Sequence, residues 1–437
     1  METLFSNMAA ASATVTQRDV SFEQLTSQFL TRITEGNAAV GAIRVLSADE
    51  ALNAARAMDS LLEAGGPLPP LAGMPVIIKE NCDTNGIPCS AGLPFRGGNV
   101  PTTDAPVVKR LRDAGAIILG VSISDPGAFG VRTAEVTHPR DPALTVGGSS
   151  GGSAAALAAG FCLGAIGTDT GGSIRIPSAC CGTVGLKPSF GVWSKDGVYP
   201  LVPSLDHIGP MATTVEDVRL MWNALSDSGV EATQVRSIGF DPRWIADADR
   251  LIGDDFADVL DRLSGGGTTV TEIKLPHLQE ILEMHGRIFF VEGAAFHRAN
   301  YGEDIRHYPV LAQDWFEAAG RMHVSEYISA CEQRVSMTRK VDHVLSEVDL
   351  ILTPTLSVLH PRKDAVKLLV SGEDIDFTMG LVRQTCLFNH TGHPALAMPM
   401  KGHSALPPPS LQIVGRRGHE ATLLNFAAAV ERLLKRS

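Results

Sequence analysis

The stretch from residue 145 to residue 191 constrains the fold more than any other part of the chain, because glycine, serine and alanine dominate it. Side chains this small let neighbouring backbones approach closely, and glycine adopts backbone conformations that other residues avoid. Within the stretch, residues 152–160 predict a helix with a small-residue face. The glycine runs on either side predict tight loops that a ligand could approach closely.

The glycine run at 147–152 fails two tests for nucleotide binding. A phosphate-binding P-loop needs Lys followed by Ser or Thr after its last glycine, whereas Ser153 and Ala154 follow here. The dinucleotide pattern G-x-G-x-x-G is not matched either. The sequence therefore disfavours a nucleotide-binding function.

The same run contains the pattern G-x-S-x-G with Ser150 at its centre. In an α/β-hydrolase this pattern places the nucleophilic serine on a sharp turn, and a downstream histidine acts as the base. His393 or His419 could supply that histidine. An esterase with Ser150 as its nucleophile is therefore one open alternative, although so short a pattern arises easily by chance in a run of Gly and Ser.

Strand-like and helical patterns alternate on both sides of this stretch. Residues 74–79 and 116–121 predict strands, and the amphipathic pattern of 105–114 between them predicts a helix. Such alternation is typical of an α/β sheet core. Additional elements are predicted nearer the C-terminus: strands at 350–354, 395–399 and 411–415, and a helix over 420–435.

Two further helices have a candidate capping box at their start. Ser47 and Glu50 stand at the required spacing before one apolar helical pattern. Thr213 and Glu216 stand at the same spacing before a helix predicted over 215–225. Both boxes would satisfy backbone N–H groups that the first turn of a helix leaves unpaired.

Composition excludes several classes of partner. The formal net charge is −11 without any cluster of Lys and Arg, whereas a nucleic-acid partner needs a basic face. No uncharged apolar stretch approaches the roughly 20 residues that span a bilayer, and the first residues lack a secretion signal. The seven cysteines form no C-x-x-C pair, which is typical of buried free thiols in a reducing, cytoplasmic setting.

The spacing of histidines, serines and lysines also does not match the patterns of metal sites or of β-lactamases. No H-E-x-x-H pattern occurs, and His390 with His393 lacks a nearby carboxylate cluster. No lysine follows a serine by three positions, so the S-x-x-K arrangement is absent. The spacing therefore gives no indication of a metal site or of β-lactamase chemistry.

Three segments together carry a more specific pattern. They are 73–81, a strand pattern ending in Lys79; the loop 147–153; and 167–175, where a strand pattern ends in glycines. Ser149 and Ser173 in the last two segments lie 24 positions apart. In letters and spacing these segments closely resemble the amidase signature family. The resemblance continues over most of the chain, through 181–189, 204–210, 349–355, 389–395 and 411–415.

The resemblance implies a catalytic triad of Lys79, Ser149 and Ser173. Ser173 would be the nucleophile that forms an acyl-enzyme, and Ser149, whose peptide bond with Gly148 is cis in the family, would relay a proton to Lys79. A lysine accepts a proton only when neutral, so its pKa must fall from about 10.4 toward neutrality. The apolar strand before Lys79 would provide the desolvation that lowers it.

The family pattern also implies residues around the triad. The backbone N–H groups of Thr170, Gly171, Gly172 and Ser173 would form the oxyanion hole, because glycines place no Cβ in the way. Positions matching Ser150, Asp169 and Arg175 hold this network in place in the family. Cys180 and Cys181 have no base placed beside them, so we expect buried thiols there.

The expected fold is α/β, with a large twisted mixed β-sheet flanked by helices on both faces. We expect a single domain over 1–437. Its parts are an N-terminal helical region of about 1–65, a core of 70–215 that contains the three segments, a diverged region of 231–345, and a C-terminal part of the core over 346–437.

The expected function is hydrolysis of small or aromatic amides, with a small molecule as the only required partner. Alternatives are carbamate cleavage by the same triad, the glutaminase component of an amidotransferase, and a non-catalytic scaffold. Oligomeric state stays open, with a homodimer as one option. Segments 120–140 and 280–390 are expected to shape the pocket. Candidate lining aromatics are Phe289, Phe290, Trp315, Tyr327 and Phe388, although packing in the core is the commoner fate of such rings.

Overall fold

The computed structural model describes residues 5, 7–227, 231–401 and 406–435. Most strands of the central sheet form in regions rich in apolar residues. In chain order the strands are β1 (Ile43–Leu46), β2 (Pro75–Lys79), β3 (Ile117–Ser122), β4 (Gly164–Asp169), β5 (Val184–Lys187), β6 (His207–Ala212), β7 (Ser237–Phe240), β8 (Thr269–Glu272), β9 (Leu350–Pro354), β10 (Lys367–Val370), β11 (Glu373–Asp376), β12 (Ala395–Pro399) and β13 (Ser410–Val414).

The central sheet has 11 strands in the order β1-β3-β2-β4-β6-β5-β12-β13-β9-β7-β8, and β10 pairs only with β11. Strands β3, β2 and β4 are parallel to one another, as are β9, β7 and β8. The strands between β4 and β9 pair in antiparallel fashion. The sheet is therefore mixed, as predicted.

Helices connect the strands. In chain order they are α1 (Met8–Thr16), α2 (Phe22–Val40), α3 (Ala48–Glu63), α4 (Pro106–Asp113), α5 (Gly151–Ala158), α6 (Arg175–Cys181), α7 (Val215–Leu225), α8 (Pro242–Ala246), α9 (Arg250–Gly265), α10 (Leu278–Tyr301), α11 (Val310–Arg321), α12 (Val324–Glu347), α13 (Phe377–Val382), α14 (Leu387–His390) and α15 (Glu420–Leu434), with short 3₁₀ turns at Pro94–Arg96, Pro126–Ala128 and Gly302–His307.

Strand β9 shows that helices cover both faces of the sheet. Successive side chains of a strand point to opposite faces. Ile351 belongs to an apolar cluster that includes side chains of α10 and α12. Its neighbours Leu350 and Leu352 belong to a second cluster, with side chains of α7, α9 and α15. Burial of both strand faces explains why these strands are nearly continuous apolar runs.

Neither predicted capping box forms as predicted, but a neighbouring threonine caps the second helix. Ser47 precedes α3, but its side chain caps no backbone N–H and its Oγ donates to the carboxylate of Glu50 instead. That box was therefore predicted wrongly, because the two side chains pair with each other. Before α7 the cap lies one residue later than predicted: Thr214 accepts a bond from the backbone N–H of Asp217.

Among the described residues, none of the helices combines the length and the hydrophobicity needed to cross a membrane. The first residues of the predicted N-terminal helical part, 1–4, lie outside the described residues. The division of the chain into parts stays a prediction.

Candidate active site

The sheet brings the three sequence segments to one edge. Strands β2 and β4 are parallel neighbours, so their carboxyl ends lie on the same side. Lys79 is the last residue of β2 and Asp169 the last of β4. The loop that carries Ser149 leads directly into α5. Crevices at the carboxyl ends of strands are common ligand sites in α/β sheets.

Lys79 is fully buried at this edge. Its Nζ donates to Ser149 Oγ at 2.7 Å and to Thr168 Oγ1 at 2.8 Å. Residues Val76, Ile77 and Ile78 before it are also fully buried. Burial lowers the pKa of Lys79 to about 8, since desolvation disfavours the ammonium form. A substantial fraction of this lysine is thus neutral near pH 8.

The serine loop is held by backbone contacts. The Gly148–Ser149 peptide bond is cis. Ser149 O accepts a bond from the backbone N–H of Asp125 at 3.0 Å. The next residue, Ser150, donates its backbone N–H to Ser173 O at 3.2 Å. The loop with Ser149 therefore adjoins the loop with Ser173 directly.

Ser150 is unsuited to nucleophilic attack. Its Oγ donates to Thr168 O at 3.1 Å and accepts from Thr168 N at 3.2 Å, so the hydroxyl is tied to the backbone of β4. The histidine that the hydrolase alternative needs lies elsewhere: the His393 ring bonds to Thr391 and Asp342. The geometry disfavours the alternative built on Ser150.

The loop between β4 and α6 is fixed from both sides. Thr170 Oγ1 donates to Asp206 Oδ1 at 2.6 Å, and Thr385 Oγ1 donates to Gly171 O at 2.6 Å. Gly172 has a φ of 137°, and a Cβ there would lie 2.3 Å from Thr385 Oγ1. Only glycine fits at this position. The chain can then turn tightly into Ser173.

An ion pair anchors the start of α6. Arg175 Nη2 lies 2.9 Å from Asp169 Oδ1, and both side chains are fully buried. Burial alone would raise the pKa of the Asp169 carboxyl, but the charge and hydrogen bonds of Arg175 outweigh it and hold that pKa low. Asn389 Nδ2 adds a bond to Asp169 Oδ1 at 2.7 Å. The pair fixes the end of β4 against the start of α6.

Ser173 opens onto a cavity with an aromatic lining. Its lining comes from the two segments predicted to shape the pocket, together with the glycine loop and Leu201. Of the five candidate aromatics, Phe289, Phe290 and Trp315 are in the lining, whereas Tyr327 and Phe388 are not. The lining residues are Ala128, Phe129, Gly130, Val131, Thr170, Gly171, Ser173, Leu201, His285, Phe289, Phe290, Trp315, Thr378, Met379 and Val382.

The two missing aromatics pack elsewhere. Phe388 is fully buried and lies against Trp244, with ring centroids 6.1 Å apart. Tyr327 donates its hydroxyl to Glu292 Oε1 at 3.1 Å. Aromatic character alone does not distinguish a pocket wall from the core.

Several site residues were not singled out from the sequence. Thr168 Oγ1 accepts bonds from both Lys79 and Asn81. Asp206 accepts the Thr170 hydroxyl, and Asn389 bonds to Asp169. Each lies inside a segment that carried the family resemblance, so that resemblance was the available signal. His285 lies in the diverged region, and no sequence pattern pointed to it.

The cysteines are free thiols. Burial raises the pKa of Cys180 to about 12, and the pKa of its neighbour Cys181 is also raised by burial. A buried thiol of high pKa is a poor nucleophile. Over the described ranges, no group of three or more His, Cys, Asp or Glu side chains is placed to hold a metal ion.

The sequence profile of the family described as Amidase matches residues 24–424. The chain therefore belongs to the amidase family. It is similar to the putative amidase AmiD of Mycobacterium tuberculosis (strain H37Rv), with 30% identity over 436 residues that cover 95% of this chain and 91% of that protein. It is 31% identical to the A component of the glutamyl-tRNA(Gln) amidotransferase of Chloroflexus aurantiacus, over 98% of this chain and 96% of that one.

Solved structures agree with this assignment. A crystal structure of an amidase has a TM-score of 0.89 and 28% identity, over 98% of this chain and 100% of that one. A bacterial aryl acylamidase of the amidase signature family shares the fold, with a TM-score of 0.85 and 23% identity over 98% of this chain and 96% of that one. The predicted large mixed sheet with helices is confirmed, and the chain is a hydrolase of carbon–nitrogen bonds in amides.

Proposed function

We propose that this enzyme hydrolyses small or aromatic amides through an acyl-enzyme on Ser173. The observation that carries the proposal is the buried Lys79, whose pKa is lowered to about 8 and whose Nζ bonds to Ser149 Oγ at 2.7 Å. A base poised near the working pH is what activation of a serine hydroxyl requires. No organic cofactor or metal is part of the proposal.

The proposed sequence of proton transfers starts at neutral Lys79. Lys79 takes a proton from Ser149, which takes one from Ser173 as its Oγ attacks the amide carbonyl carbon. Backbone N–H groups of Thr170, Gly171, Gly172 and Ser173 receive the oxyanion, and donors of this kind typically contribute about 2.7–4 kcal/mol each in the transition state. The amine departs with the returned proton, and water then releases the acid.

The cavity supports an aromatic or otherwise apolar substrate. Phe129, Phe289, Phe290 and Trp315 contribute rings to its wall. Phe289 and Trp315 meet edge to face, with centroids 5.1 Å apart. A pocket of this composition gains from burial of apolar substrate surface.

A second cavity adjoins the aromatic one and offers space for the other half of the substrate. Its lining includes Asn81, Thr168, Asp206 and Lys195. Thr170, Ala128 and Leu201 line both cavities. An amide carbonyl at Ser173 carries two substituents, and two adjoining cavities can hold one each.

Free glutamine fits the aromatic cavity poorly. Within the described part of the chain, none of the residues that line the cavity is Asp, Glu, Lys or Arg. Glutamine carries an ammonium and a carboxylate, and each would lose water without a charged partner. The aromatic cavity therefore favours an apolar amide over free glutamine, and on that ground we rank the glutaminase alternative lower. Carbamates would react through the same serine and stay the second candidate.

The free, buried thiols support a reducing, cytoplasmic setting.

A substrate panel tests the proposed function: benzamide, acetanilide, a linear aliphatic amide, a phenyl carbamate and glutamine. We expect the aromatic amides to give the highest kcat/KM among these, with activity abolished in Ser173→Ala. Preference for glutamine, or serine labelling by a sulfonyl fluoride at Ser150 instead of Ser173, would overturn the proposal.

A further inference from the structure

Two buried histidines lie at the wall of the aromatic cavity, one in the lining and the other behind it. His285 of α10 and His390 of α14 are 4% and 3% exposed, and His285 Nδ1 lies 2.9 Å from His390 Nε2. His285 lines the cavity with Ser173. Burial lowers the pKa of His285 to about 4, and it also holds the pKa of His390 low. Both rings are therefore neutral at physiological pH, and each carries one N–H.

The hydrogen bond between the rings leaves two tautomeric arrangements. In the first, His285 Nδ1 donates to His390 Nε2, and His390 carries its own N–H on Nδ1. In the second, His390 Nε2 donates to His285 Nδ1, and His285 carries its own N–H on Nε2. Only the second arrangement gives His285 a free N–H on the side away from His390.

The surroundings of His390 decide between them. His390 Nδ1 is buried and has no hydrogen-bond partner among the described residues. A buried N–H without a partner is rarer and less tolerated than a buried lone pair without one. His390 Nδ1 is therefore the bare lone pair, and His390 Nε2 is the donor to His285. That assignment places the remaining proton on His285 Nε2.

His285 Nε2 lies beside the proposed oxyanion loop. A Cβ built on Gly171 would lie 3.2 Å from His285 Cε1 and 3.4 Å from His285 Nε2. Phe289, one turn further along α10, packs on the imidazole with centroids 5.1 Å apart. In the described part of the protein, the hydrogen bond of the His285 ring is the one that Nδ1 accepts from His390 Nε2. The His285 Nε2–H group is thus a free donor at the place where a substrate ring would enter a mainly apolar pocket.

We propose that His285 donates a hydrogen bond from Nε2 to an acceptor atom on the group that occupies the aromatic cavity. The enzyme then prefers ring substrates that carry such an acceptor, for example a pyridine nitrogen, over plain phenyl analogues. His390 is the positioning residue that keeps the proton on His285 Nε2. This inference rests on the proposed function only in assuming that substrate enters the cavity beside Ser173.

Binding to the Ser173→Ala enzyme tests the donor without any turnover. Benzamide and its three pyridine isomers differ only by one ring CH or N, as do acetanilide and its pyridine isomers. Calorimetry should show at least one isomer binding about three- to tenfold tighter than its phenyl parent, the value of one hydrogen bond. The preference should vanish when His285→Leu is added and return in part with His285→Gln, which keeps an N–H.

Two matched variants on the same cavity serve as controls. Phe289→Leu should weaken both members of each pair equally, because it removes apolar surface and no donor. Trp315→Phe removes the other ring N–H of the lining. It should leave the preference intact, because His285 and not Trp315 is the proposed donor. A preference that survives His285→Leu, that disappears in Trp315→Phe, or that no isomer shows would overturn the inference.

The tautomer can be observed directly. Long-range ¹⁵N–¹H correlation of histidine-labelled protein should show His285 protonated at Nε2, with the signal assigned by its loss in His285→Gln. Protonation at Nδ1 would contradict the argument. The two proposals fail separately: acceptor-dependent binding without hydrolysis by the wild-type enzyme would overturn the proposed function alone. Amide hydrolysis without the preference would overturn the role of His285 alone.

Discussion

Two buried lysines of the same sheet make an instructive comparison. Lys79 ends β2 and Lys187 ends β5, and both are fully buried. Burial lowers the pKa of both. Their partners differ. Lys79 Nζ bonds to the hydroxyls of Ser149 and Thr168, whereas Lys187 Nζ donates to Pro188 O at 2.9 Å and His393 O at 2.7 Å.

The partners decide what each lysine can do. A hydroxyl both donates and accepts a hydrogen bond, so it can give a proton to a neutral amine. A backbone carbonyl only accepts, so it can hold an amine in place but has no proton to give. Burial and a lowered pKa therefore do not by themselves make a general base. We therefore propose a part in proton transfer for Lys79 and a structural task for Lys187.

The substitution Lys79→Met should have the largest effect on catalysis. The substitution keeps the apolar length of the side chain and removes the amine, so kcat/KM for the best aromatic amide should fall by about 10³–10⁴-fold, near the upper range for general-base assistance. Urea unfolding should change less than in Lys187→Met, because the hydroxyls that lose the amine can turn to other partners, whereas a buried carbonyl needs a donor. Near-normal turnover by folded Lys79→Met would exclude a base role for this lysine.

Ser149→Ala should cause a loss of the same order, because Ser149 lies between Lys79 and the nucleophile in the proposed relay. The double variant Lys79→Met/Ser149→Ala should then be little slower than either single variant, since residues that act as one unit are non-additive. Measurement of kcat/KM for the wild type, the two single variants and the double variant completes the double-mutant cycle. If the two losses in kcat/KM multiplied in the double variant, the proposed relay would be contradicted.

The pH profile gives the next largest effect. The pKa of Lys79 is lowered to about 8, so below pH 8 the lysine is mostly an ammonium that cannot accept a proton. The rate should therefore fall about tenfold per pH unit on the acidic side and level off above pH 8. Lys187→Met should give the same profile at temperatures where it is folded. A rate that is flat between pH 6 and pH 8 would contradict the assignment.

The smallest effect on chemistry is expected for Lys187→Met. This change leaves the carbonyls of Pro188 and His393 buried without their donor, which should cost about 2–4 kcal/mol of unfolding free energy. Activity per folded molecule should stay within about threefold of wild type. Urea unfolding followed by active-site titration separates the two readouts. A large loss of turnover in fully folded protein would show that the two lysines are not distinct in role.

Local sequence determined much of this protein. The predicted strands at 350–354 and 395–399 form over those residues, and the strand that ends in Lys79 begins one residue later than predicted. Alternating apolar runs, glycine loops and a C-terminal amphipathic pattern are short-range signals, so a sequence alone carries them. The segments around Lys79, Ser149 and Ser173 likewise carried the family resemblance that pointed to the candidate site.

Only the tertiary structure decided which distant side chains meet. Arg175 reaches Gln412 in β13 at 2.7 Å across 237 positions of sequence. The pairing of His285 with His390 spans 105 positions. Local patterns do not encode such contacts, because they depend on how β-strands are ordered and helices packed above them. For the same reason the sequence could nominate Phe388 as a pocket wall, while packing against Trp244 placed it in the core.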